Sequence, residues 1–91
     1  MKTQPFNPVD FFESQEEIAD YLTEAYHDDD PRVFIAALGH VVRHRGISET
    51  ALDTGLNRES LYKALSGKVN PKWDTIHKLL KVLDVQIKIA A

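Results

Sequence analysis

Apolar residues recur along most of this chain at helical spacing, and the breaks in that spacing mark the element boundaries. Ile18, Tyr21, Leu22, Ala25 and Tyr26 stand at i, i+3, i+4, i+7 and i+8, one stripe of an amphipathic helix. Ser14 and Glu17 have the S-x-x-E spacing of a capping box at its start. Phe34, Ile35, Leu38, Val41 and Val42 make a second stripe, which predicts a helix from Asp30-Pro31 to about Arg45. Aspartate is a good N-cap, and proline fits the first helical position, where an amide would be unpaired anyway. Ahead of both helices, Pro5, Asn7, Pro8 and Asp10 disfavour regular structure. An extended arm is expected there, tacked down by Phe6, Val9, Phe11 and Phe12.

The stretch SETALDTGLNRESLYKAL, Ser48 to Leu65, predicts two short helices joined by a tight turn. Ser48 caps the first through its hydroxyl. Gly55 ends it, where a residue without a Cβ takes a left-handed conformation cheaply. Asn57 caps the second helix. The small side chain of Ala51 allows close packing, and Leu52, Leu56, Leu61 and Leu65 are expected on the inner sides. Asn57, Arg58, Glu59, Tyr62, Lys63 and Ser66 are then free to point outward. Gly67 ends this helix, and Asn70-Pro71 repeats the cap-plus-proline start. A last helix carries Trp73, Ile76, Leu79, Leu80 and Leu83 on its inner side.

After Asp84 the period changes to two. Val85, Ile87 and Ile89 alternate with Gln86 and Lys88, which predicts a short C-terminal β-strand. A lone strand has unmet backbone groups on both edges and needs a partner. The sequence offers no second strand, so pairing with another chain is expected, either a second copy or a different protein. The predicted fold is all-α: five helices in a compact domain with a short C-terminal strand. Residues 1–29 form the arm and first helix, and residues 30–91 form the rest.

The 91 residues suit one small domain, and 43% hydrophobic content allows a modest core. The absence of cysteine excludes disulfide staples and thiolate metal sites. No apolar run approaches the roughly 20 residues of a membrane span, and the N-terminus lacks the apolar stretch of a secretion signal. A cytoplasmic location without membrane association is expected. The net charge of −3 argues against nucleic acid, but its distribution does not. Residues 1–31 hold nine acidic groups and one basic group, giving −8; residues 32–91 hold ten basic and five acidic groups, giving +5. An acidic front and a basic rear suggest two partners, one cationic and one anionic.

A rigid helix offering polar, cationic and aromatic tips is what major-groove reading needs. Asn57, Arg58, Glu59, Tyr62 and Lys63 are the candidate base contacts. Arginine can bond two acceptors of guanine at once. Glu59 either accepts from cytosine or strengthens the helix start by its charge. Arg43, Arg45, Ser48, Ser66, Lys68 and Lys72, at the edges of the element, are candidate phosphate contacts. Glu16, Asp20 and Glu24, at steps of four on the first helix, form an acidic face. Together with Val85, Ile87 and Ile89 they are the candidate partner or dimer surface. His40 and His44 have HxxxH spacing, but no third ligand completes a set, and His27 and His77 lack partners. No metal or cofactor is expected. No phosphate-cradling Gly-rich loop, HExxH motif or defensible Ser-His-Asp order supports catalysis. Trp73, Tyr21 and Tyr26 are assigned to the core.

Residues from about Asp30 to Ala90 resemble the repressor-type (Xre-like) helix-turn-helix domain. Most of the chain beyond residue 10 resembles the probable addiction-module antidote proteins, antitoxins of small bacterial toxin–antitoxin operons. The likeness is carried by AALGHVVRHRGIS at 36–48, TGLNRESLYKALSGKVNP at 54–71, VLDVQIKIA at 82–90, and the acidic helix ending in DDDP before FIAAL. The resemblance implies a homodimeric autorepressor that binds double-stranded DNA at its own operon promoter and neutralises a basic, RelE-like toxin. One departure stands out. Glu49 follows Ser48 where related repressors often carry a phosphate-touching glutamine, and a carboxylate there repels the backbone. Two rival readings remain: a protein-interaction module whose helix pair is only scaffold, and a solitary phage-type repressor with no toxin.

Overall fold

Residues 6–89 are described by a computed structural model. A 3-10 turn at Pro8–Phe11 precedes five α-helices: α1 at Gln15–Tyr26, α2 at Pro31–Arg45, α3 at Ile47–Thr54, α4 at Arg58–Ala64 and α5 at Trp73–Leu83. Three helices begin on the side chains the sequence offers. The Ser14 hydroxyl accepts from the Glu17 N–H at 3.2 Å. Asp30 accepts from the Arg32 N–H at 2.9 Å, with Pro31 in the first turn. Asn57 accepts from the Ser60 N–H at 2.7 Å. The capping box is displaced by one residue, because Glu17 reaches back to the N–H of Glu13. Asp30 also holds the Arg32 guanidinium at 2.9 Å, and this hydrogen bond keeps its carboxyl below the usual aspartate range.

The other two helices start differently. Gly46 takes φ 117, donates its N–H to the Val42 carbonyl and accepts from the Thr50 N–H. One residue thus closes α2 and opens α3, so Ser48 sits inside the first turn of α3 and caps nothing. Helix α5 starts at Trp73 with no side-chain cap, and Asn70-Pro71 belong to the preceding loop.

Val9, Leu22, Leu38, Val42, Leu61 and Leu79 are fully buried or nearly so, and they belong to one cluster that draws on every element. Helix α1 packs on α2, while α3 touches α2, α4 and α5. The radius of gyration is 12.8 Å, against about 12 Å expected for a single domain of this length. Among the described residues no helix is long and apolar enough to cross a membrane.

The expected extended arm is instead the 3-10 turn. Asn7 caps it by accepting from the Val9 N–H, and Pro8 fits its first position. Asn7 also donates to the His40 carbonyl at 2.9 Å, and Asp10 pairs with His44 at 2.7 Å. Val9 is thereby driven into the core, while Phe6 and Phe11 stack on each other in solvent. The first five residues of the arm lie outside those described.

The predicted C-terminal strand is not formed. Residues 85–89 take no regular secondary structure, and no strand forms among the described residues. Helix α1 supplies the missing partners with side chains. Gln15 donates to the Leu83 carbonyl at 2.9 Å, Thr23 accepts from the Lys88 N–H at 3.3 Å, and His27 donates to the Lys88 carbonyl at 2.7 Å. The alternation itself holds for Val85 and Ile87, which are half-buried between exposed Gln86 and Lys88. Three further expectations fail. Leu52 is 82% exposed because α3 turns Thr50 and Ala51 inward instead, and Trp73 is 69% exposed. Tyr26, also assigned to the core, is 44% exposed at the end of α1, with its ring edge against Phe34.

Leu61 is fully buried and is the main apolar anchor of the short α4. Leu61→Ala is expected to cost about 2–5 kcal/mol, as for other buried leucines. Urea unfolding measures it, and a loss near zero would show that α4 is held by something else. Tyr21 is coupled to His40 by a 2.9 Å hydrogen bond, and burial raises its phenol pKa above 10.0. The native state therefore resists ionisation that the unfolded chain undergoes. Stability from this group is intact below pH 10.0 and lost as pH rises through the higher folded value. Tyr21→Phe should flatten that alkaline decline in urea midpoints; an unchanged slope would assign the decline to other groups.

Candidate nucleic-acid interface

A seven-residue helix is too short to hold itself together in water, so α4 depends on its inner edge. Leu61, Ala64 and Leu65 provide that edge. Helix α2 comes close to it at Gly39, where an added Cβ would lie 3.7 Å from the Leu65 side chain. At the other end, Gly55 takes φ 77, the left-handed conformation that turns α3 into α4. Asn57, Arg58, Glu59, Tyr62 and Lys63 are all exposed on the remaining flank. The five predicted base-contact residues thus share one accessible surface, with Tyr62 47% exposed. Ser60 lies among them and is equally exposed, although it was not singled out from the sequence.

The predicted phosphate contacts divide. Arg43, Lys68 and Lys72 are exposed, and Ser48 is exposed and released from capping. Ser66 is engaged: its hydroxyl donates to the Lys63 carbonyl at 2.8 Å and accepts from the Lys68 N–H at 3.2 Å, closing the turn after α4. Arg45 is engaged too. It pairs with Asp53 at 2.6 Å and donates to the Thr50 hydroxyl at 3.0 Å. Thr50 is fully buried and passes its own proton to the Gly46 carbonyl at 2.8 Å. This small network fixes the α2–α3 junction, and any phosphate contact by Arg45 must compete with Asp53. No sequence rule reveals that pairing, because the two residues are eight positions apart on different helices. Glu49 is exposed in the first turn of α3, where it adds negative charge beside these groups.

The acidic face is formed as its spacing requires: Glu16, Asp20 and Glu24 are all exposed on α1. Glu16 and Asp20 border a shallow groove of ≈ 440 Å³ whose opposite bank is Asp84, Val85, Gln86 and Lys88. The fold therefore brings part of the acidic face and Val85 together. Glu24 instead borders a depression with Tyr21 and Val33. Ile87 and Ile89 line a separate, larger groove with Trp73.

The HxxxH pair does not converge. His40 is half-buried against Tyr21, while His44 turns to Asp10. Among the described residues no group of three or more His, Asp or Glu is placed to hold a metal ion.

An uncharacterized protein of Haemophilus influenzae is 40% identical over 84 residues, which covers 92% of this chain and 87% of the relative. No solved structure matches the chain significantly. A family model described as "Probable addiction module antidote protein" matches residues 2–91, and the chain belongs to that family.

Proposed function

We propose that this protein is the antitoxin of a toxin–antitoxin module, a repressor-type helix-turn-helix protein that binds its own promoter and neutralises a basic, RelE-like toxin. The observation that carries the DNA part is the flank of α4. Asn57, Arg58, Glu59, Tyr62 and Lys63 stand exposed on a helix anchored through Leu61. Arg58 and Lys63 read base edges, Arg43 holds a phosphate, and Tyr62 makes apolar contact in the groove. One such module spans few base pairs, so the protein acts as a homodimer. Its two α4 helices then meet half-sites about 34–36 Å apart. The toxin part rests on family membership and on charge. Glu16, Asp20 and Glu24 give a cationic partner an anionic face, and Glu16 and Asp20 stand beside the C-terminal segment.

A scaffold reading, in which the helix pair contacts no DNA, draws on two observations: Asp53 occupies Arg45, and Glu49 faces solvent. Salt dependence separates the readings. A DNA reader loses affinity with log salt at a slope of about −0.9 per phosphate neutralised.

Replacing Arg58 and Lys63 together by alanine should abolish specific promoter binding in a mobility-shift assay. Each lost contact is worth about 1–3 kcal/mol of discrimination, and toxin binding should be unchanged. Wild-type shifts from the double variant would remove α4 from the groove. Conversely, reversing Glu16, Asp20 and Glu24 to lysine should weaken toxin capture while leaving promoter binding in place. A triple variant that still neutralises the co-expressed toxin would move the toxin site off α1.

A further inference from the structure

An uncovered, largely apolar groove of ≈ 660 Å³ lies between the α1–α2 junction and the loop that joins α4 to α5. Tyr26, Phe34, Ile76, Val69, Trp73 and Ile89 line it. Its rim is not merely apolar but prominent. Trp73 is 69% exposed, Ile89 65%, Tyr26 44% and Val69 40%. Trp73 touches only the neighbouring His77 ring among aromatic partners, at 5.9 Å between centroids. A large aromatic side chain left standing beside an apolar recess is the usual form of an interface anchor.

We propose that this groove is the homodimer interface, each copy lodging its Trp73 in the groove of the other. The proposal deepens the dimeric reading above and rests on it. Two properties of the patch select a second copy as occupant. First, knob and hole lie on the same patch, as a two-fold contact requires, since the same surface must serve both partners. Second, the charges are arranged for self-complementarity. One bank carries Asp28, Asp29 and Arg32, whose charge Asp30 already pairs, so the bank stays acidic. The loop on the other side carries Lys68 and Lys72, both exposed, Lys68 next to Val69 and Lys72 next to Trp73 in the chain. A two-fold axis through the mouth sets the acidic bank of each copy against the basic bank of the other. A uniformly cationic partner matches only the first bank and is repelled by the second. The loop in this interface runs directly from the end of α4, so the same contact fixes the separation of the two α4 helices.

The test uses the full chain. Trp73 is the sole tryptophan, so its emission reports the groove directly. Sedimentation equilibrium across a dilution series should show a wild-type dimer, with Trp73 emission shifting to shorter wavelength as dimer forms. Trp73→Asp and, independently, Val69→Asp should keep the far-UV helix signal and raise the dissociation constant by roughly tenfold or more. A chain carrying Asp28→Lys and Asp29→Lys, and a second carrying Lys68→Glu and Lys72→Glu, should each dimerise poorly alone and form a heterodimer when mixed. A Trp73→Asp chain that dimerises like wild type overturns the proposal. A wild-type chain that stays monomeric throughout also overturns it and leaves the groove to another occupant. Binding to a single DNA half-site at low salt, measured alongside, keeps the two readings apart. A Trp73→Asp monomer that still binds the half-site supports both. Loss of DNA binding in a wild-type chain that dimerises through the groove sinks the promoter reading alone.

Discussion

The contact on which the other features depend is the seating of α4 on the core. A helix of seven residues has too few internal hydrogen bonds to offset its own ordering. Its conformation is fixed by neighbours instead: Leu61 fully buried, Leu65 5% and Ala64 8% exposed, and the Asn57 cap at its start. Gly39 of α2 lies against Leu65, where even an added Cβ would meet its side chain only at ordinary contact distance, 3.7 Å. Because every apolar group of the helix proper is committed inward, the opposite flank is polar, accessible and held at a defined angle. Tyr62 is the exception, a half-exposed ring whose hydroxyl end tolerates water. Flexible display of the same residues would cost ordering entropy on each encounter with a ligand.

Charge pairing then decides which groups that surface can use. Exposed ion pairs contribute little to stability, so their consequence here is selection among charges. Asp53 takes Arg45, Asp30 takes Arg32, and Asp74 takes Lys78. Neither Arg58 nor Lys63 has a carboxylate within salt-bridge distance among the described residues, and the same holds for Arg43, Lys68 and Lys72. The acidic residues Glu16, Asp20 and Glu24 are equally without a basic partner. The formal asymmetry of the sequence, −8 in residues 1–31 against +5 in residues 32–91, therefore survives folding on these faces. Local neutralisation falls mainly on junctions, such as the α2–α3 corner and the start of α2.

Much of this was legible in the chain. Helical periodicity located α1, α2, α4 and α5, because Leu22, Leu38, Val42, Leu61 and Leu79 are buried where a period near 3.6 puts them, whereas α3 was bounded by Gly55 and its one expected inner leucine, Leu52, faces solvent. Caps with a short polar side chain before a helix were legible where the backbone had no better option, at Ser14, Asp30 and Asn57. They were misread at Ser48, because Gly46 could both end α2 and begin α3. The final segment exposes a limit of the period-two rule. Alternation describes side-chain direction, and Val85 and Ile87 obey it. It says nothing about what satisfies the backbone, and here Thr23 and His27 of a helix do part of what a neighbouring strand would.

The deeper ambiguity is in the apolar stripe itself. A stripe at helical spacing records which residues avoid water, not whose surface excludes it. Trp73 heads the stripe of Ile76, Leu79 and Leu83, and all three of those are buried in the core. Trp73 is one turn earlier on the same face, yet it is 69% exposed, because α5 starts there and no helix among the described residues covers it. Ile89 stands in the same relation to Ile87: it continues the alternation past the point where α1 can cover it. Where a pattern outruns the fold in this way, the surplus apolar residues fall at the rim of a groove. Physical complementarity, in shape and in the sign of the flanking charges, then indicates what closes it.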